Sequence, residues 1–108
     1  MTDSESVRAL KAARAKVEAG WTQRAAARDA SGQSVGWTEA KACSYCAMGA
    51  LWAATEGSAH SAELWLIRVL QSRNAGHSVI SFNDDRNRTK DDVLKLFDDA
   101  IELAKGAE

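Results

Sequence analysis

The chain has 108 residues, 45% hydrophobic and 27% charged, which is the balance of one soluble globular domain with a modest core and not of a disordered chain. A formal net charge of -1 argues against a partner held mainly through its phosphates, since there is no strong global field, so nucleic acid is not the expected partner. No apolar run is long enough to span a bilayer, and proline is absent, so helices run uninterrupted and residues 1–108 are expected to form a single all-α domain.

The first helix is marked by Thr2 and Glu5 as a capping box, by Val7, Leu10, Ala13 and Val17 at helical spacing, and by Gly20 as its stop. Arg8, Lys11 and Lys16 fall off that stripe, on a solvated basic face. From Trp21 to Trp37 the pattern loosens into alanines and then a Ser/Gly-rich loop from Ser31 to Gly36, with a tryptophan at each end to pin it to the body.

A second helix is expected from a Thr38 cap to Thr55, ended by Gly57, with Cys43, Cys46, Ala47, Ala50, Leu51 and Ala54 inward. Gly49 on it allows close approach by a neighbouring helix. A third helix covers Ser61 to Arg73, with Leu64, Trp65, Ile67, Val69 and Leu70 apolar, and Asn74 and Gly76 close it. His77 to Phe82 reads as a buried extended link, because one short β-branched run without a partner makes no sheet. The last helix starts at Thr89, paired with Asp92, and its stripe is Val93, Leu96, Phe97, Ala100, Ile101, Leu103 and Ala104. About four helices around one core is the expected architecture.

Charge is uneven along the chain. Arg8, Lys11, Arg14, Lys16, Arg24 and Arg28 crowd the first third, and Asp84, Asp85, Asp91, Asp92, Asp98 and Asp99 the last. The two ends can steer an encounter or neutralise each other.

Cys43 and Cys46 have the spacing of half a zinc knuckle, but the other ligands would have to be His60 and His77, far apart in the chain. Within one apolar helix both cysteines read as packed thiols, with no metal and no cofactor expected. The sharper chemical alternative makes Cys46 a nucleophile, with His60 or His77 as base and Asp84 orienting the imidazole. Against it, Cys46 is expected in mid-helix, where nothing lowers its pKa.

In "FNDDRNRT" (82–89) the plain reading is an Asx turn at Asn83 or Asp84 followed by the Thr89 cap, while Arg86 and Arg88 can meet a phosphate or an acidic partner. Of the four tryptophans, Trp52 lies off the apolar face and is the best interface candidate.

Together "GWTQRAAARDASG", "CAMGAL" and "ISFNDDRNRTKDDVLKLFDDAIELA" resemble a family of small bacterial and phage proteins of unknown function. The residues that carry the resemblance are Gly20, Trp21, Asp29, Cys46, Ala47, Gly49, Ala50, Leu51, Phe82, Asn83, Asp84, Thr89 and Val93; Cys43 is outside the pattern. The resemblance implies no activity. It implies a phage or mobile-element setting, in which small single-domain proteins bind and block host factors.

The expected function is therefore a non-catalytic helical protein-binding module, a regulator or inhibitor of a host protein, with Trp52, Asn83, Asp84, Arg86 and Arg88 as binding residues. The alternative is a cysteine-dependent hydrolase or transferase built on Cys46, a histidine and Asp84; a small-molecule pocket between helices is a third reading. The start "MTDSES" lacks the pattern of a signal peptide, so the cytoplasm is the expected compartment, without membrane attachment. A homo-oligomer is compatible with all of this.

Overall fold

The computed structural model describes residues 3–107. In chain order it contains α1 (Glu5–Ala19), β1 (Ala27–Arg28), β2 (Ser34–Val35), β3 (Ser44–Tyr45), α2 (Ala47–Thr55), α3 (His60–Ser72), α4 (Val79–Asp84) and α5 (Lys90–Gly106). The domain is mainly helical, as expected, but it has five helices and a small sheet in place of about four helices alone.

Helix α1 lies at the centre, packed chiefly on α5 and α2. Its buried side chains are Val7, Leu10, Ala13 and Val17, the stripe set by the spacing. Ser4 caps it by accepting from the Val7 amide at 3.2 Å; Thr2, the expected capping residue, lies outside the described residues. Gly20 ends the helix in extended conformation, and it is glycine for lack of space: a Cβ there would stand 2.3 Å from the Cys43 carbonyl oxygen. Arg14 reaches Asp98 on α5 at 2.5 Å, and Arg73 pairs with Asp99, so part of the charge asymmetry is neutralised internally.

The segment expected as loop and early second helix forms a sheet of order β2-β1-β3, antiparallel throughout, with Ala27 opposite both Val35 and Tyr45. Asp29 turns the hairpin: its Oδ1 accepts from Ser31 Oγ and from the Ser31 and Gln33 amides, and the Ser31 hydroxyl in particular holds its carboxyl below the usual range. Both tryptophans do pin this region. Trp21 Nε1 donates to Asn83 Oδ1 at 2.8 Å, and the Trp37 ring lies over Gly57, 3.6 Å from where a Cβ would be.

Two corrections bear on function. Helix α2 begins at Ala47, not Thr38, and its N-cap is Cys46, whose sulfur accepts from the Gly49 amide at 3.2 Å. Cys43 is exposed in the approach to β3 and does not face the core. The small residue at Gly49 admits not a helix but the backbone of Ala26: a Cβ would stand 1.9 Å from the Ala26 carbonyl oxygen. The second correction is α4, expected to be extended. Ser78 caps it by accepting from the Ser81 amide at 3.1 Å, and Val79, Phe82 and Asn83 are its buried residues. Their i, i+3, i+4 spacing is helical, so burial overrides the β-branched composition.

Helix α3 runs one residue earlier at each end than expected, and Asn74 and Gly76 follow it with positive φ. Helix α5 has the full Thr89–Asp92 capping box and buries the expected stripe except for Leu103, which is exposed, as Leu64 is on α3.

Candidate functional site

The C-terminal end of α4 organises one side of the molecule. Asn83 is fully buried, the only buried polar residue among those described. Its Oδ1 accepts from Trp21 Nε1 at 2.8 Å and from the Ala47 amide at 3.0 Å; its Nδ2 donates to the Thr22 carbonyl at 3.1 Å and to Asp84 Oδ1 at 3.0 Å. This one side chain ties α4 to the start of α2 and to the chain that leaves α1. Asn83 was expected to bind a partner; with every polar atom engaged inside, it holds the site together instead. The Asx turn expected at Asn83 or Asp84 falls instead at Asp85, which accepts from the Asn87 amide at 2.9 Å.

Next to Asn83, Asp84 Oδ1 accepts from the Arg24 amide at 2.9 Å, while Gln23 Nε2 donates to the carbonyls of Asn83 and Asp85. These bonds fix a corner in which Arg24 takes φ 63°, a left-handed conformation unusual for a side chain of its size.

Beside this corner opens a groove of about 380 Å³, lined by Arg24, Ala25, Ala26, Cys46, Trp52, Ile80 and Asp84. Trp52 is half-buried; Ile80 is 47% exposed, on a helix whose other apolar residues are in the core. The groove joins two of the residues singled out from sequence, Trp52 and Asp84, with Cys46. It leaves out Arg86, which is exposed on the following turn, and Arg88, whose guanidinium stacks 3.7 Å over the Phe82 ring and donates to the Phe82 carbonyl. Arg88 thus braces α4 rather than waiting for a partner.

Cys46 is not in mid-helix, so that argument against its reactivity fails; it stands at the N-terminus of α2, where thiolates are ordinarily favoured. Burial pushes the Cys46 thiol above its ordinary pKa, and the backbone amides of Gly49 and Met48 offset this only in part, while the charge of Asp84 raises it further. Neither histidine reaches it: His60 opens α3 and His77 precedes α4, both exposed, and neither lines the groove. The nucleophile, base and orienter of the cysteine-hydrolase reading are therefore not assembled. Both cysteines are free, and among the described residues no group of three or more His, Cys, Asp or Glu is placed to hold a metal ion.

Arg24, Ala25, Ala26 and Ile80 are the site residues that sequence reasoning missed. Ile80 had no usable local signal: its β-branched surroundings read as extended, and tertiary burial makes the segment a short helix with this one apolar residue left outside. No local signal exists for Arg24, which is placed by residues 60 positions away.

The chain belongs to a family of unknown function, DUF6197, whose pattern matches residues 1–103. No curated protein and no solved structure matches it. Among the described residues no helix is long and apolar enough to cross a membrane.

Proposed function

We propose that this chain is a non-catalytic binding module that seats a segment of a partner protein in the groove between Trp52 and Ile80. The observation that carries this reading is Ile80: a large aliphatic side chain left 47% exposed beside a half-buried tryptophan, on an element clamped by a buried polar network. Aromatic anchors in preorganised recesses are where binding energy concentrates. The phage or mobile-element setting implied by the resemblance makes a cytoplasmic host protein the expected partner, bound so as to regulate or block it.

The cysteine-hydrolase reading keeps one supporting feature, the place of Cys46 at a helix N-terminus within the groove. Against it, neither histidine lines the groove, and burial raises the Cys46 pKa.

Affinity capture from bacterial lysate tests the proposal, using the full chain, Ile80→Asp and, as a surface control, Leu64→Asp. The expected result is a protein retained by wild type and by Leu64→Asp and lost with Ile80→Asp, with Cys46→Ala retaining it. Retention by Ile80→Asp together with loss on Leu64→Asp places binding on α3 and refutes the groove.

A further inference from the structure

Six of the eight arginines are engaged within the molecule: Arg8 on the Asp3 carbonyl, Arg14 on Asp98, Arg28 on Thr22, Arg68 on the Trp65 ring, Arg73 on Asp99 and Arg88 on Phe82. Among the described residues, the guanidinium of Arg24 has no hydrogen-bond, ion-pair or ring partner, and it lines the apolar groove. Arg86 is likewise unengaged but is not part of the groove. The other charge at the rim, Asp84, has one oxygen engaged by the Arg24 amide and by Asn83 Nδ2. Asp84 thus positions the backbone of Arg24 while leaving its guanidinium available beside Trp52 and Ile80.

Resting on the groove reading, we infer that Arg24 is its specificity-determining residue, and that the partner segment carries an aspartate or glutamate next to the aliphatic or aromatic side chain that enters between Trp52 and Ile80. A guanidinium presents a rigid fork that a carboxylate fits in bidentate fashion. The low-dielectric wall beside it strengthens that contact relative to a fully solvated pair. A partner segment with lysine or arginine at the same point would meet like charge and be rejected, which is how a small groove gains selectivity that its area alone does not give.

The probe is a displayed library of random peptides selected on the full chain, with the enriched peptides then resynthesised and titrated. Three variants accompany wild type. Arg24→Gly removes the guanidinium and adopts the left-handed backbone freely, so it folds; its melting temperature is the check. Arg24→Glu reverses the charge, and Ile80→Asp closes the groove to apolar side chains. The expected result is enrichment of sequences with an acid adjacent to a large apolar residue. Affinity for them should fall about fivefold in Arg24→Gly, the upper range for a rim ion pair, and should weaken with added salt. Selection on Arg24→Glu should enrich lysine or arginine in place of the acid. Peptides that lose binding in Ile80→Asp but show no acidic preference, or that bind Arg24→Gly as well as wild type, overturn the assignment of Arg24 and leave the groove standing. Peptides indifferent to Ile80→Asp, or no enrichment at all, overturn the groove and the inference with it.

Discussion

Asn83→Ala removes the side chain that joins three segments, and the structure sets the size of the loss. The Ala47 amide is buried at the first turn of α2, with Asn83 Oδ1 as its side-chain partner at 3.0 Å; leaving it unpaired costs about 1–3 kcal/mol. Trp21 Nε1 is only partly buried and regains water, so its share is about 1 kcal/mol. The Thr22 carbonyl loses its Asn83 donor in a similar setting, while Asp84 Oδ1 keeps the Arg24 amide. A total near 3 kcal/mol is a large part of the roughly 5–15 kcal/mol that stabilises a domain. For a chain of this length it lowers the melting temperature by about 10–20 °C. Urea unfolding followed by tryptophan fluorescence and by far-ultraviolet circular dichroism measures it, and the double variant with Trp21→Phe should be less destabilised than the sum of the two singles. An Asn83→Ala protein within about 1 kcal/mol of wild type would refute the claim that this network holds the site.

Gly49→Ala should destabilise the fold by about 3 kcal/mol or more, because the new Cβ meets backbone at Ala26 that cannot swing aside, whereas Gly106→Ala, with nothing within 4 Å, should be neutral or gain up to about 1 kcal/mol; paired thermal melts decide. Asp84→Ala should lose about 1 kcal/mol by denaturant titration, since the Arg24 amide loses its acceptor at a strained corner. Iodoacetamide should label exposed Cys43 rapidly in the native protein and Cys46 only on unfolding; native labelling of Cys46 faster than a free thiol would restore the hydrolase reading. The folded Cys46 thiol titrates above its unfolded value, so its contribution to stability is complete below the ordinary thiol value of about 8.5 and is lost as pH rises through the folded pKa. Cys46→Ala should therefore show a smaller loss of urea midpoint than wild type as pH rises above about 8.5.

The long helices were legible because their signals are local and redundant. In α5 a capping box, acidic first turn and apolar stripe all agree, and in α1 the stripe is the buried set residue for residue. The start of α2 was not legible because cysteine is an uncommon cap, and Thr38, a better one by type, lies in the turns that link β2 to β3. Strands of two residues carry no alternation to read, so the sheet had no signature. Helix α4 is six residues long with β-branched composition, and tertiary burial alone makes it a helix. The site followed the same division. Trp52 and Asp84 stood out by residue type, but Asn83 meets Trp21 across 62 positions and Asp84 meets Arg24 across 60, and no local pattern encodes such contacts.

The proposed partner protein occupies the groove and no other face. Hydrogen–deuterium exchange of the full chain, alone and saturated with the captured partner, tests it most directly. A partner seated in the groove adds protection confined to residues 23–26, the first turns of α2 and residues 78–84, with α3 and α5 unchanged. Protection centred on Leu64 or Leu103, the other exposed apolar positions, with no change at Ala25, Ala26 or Ile80, would contradict it.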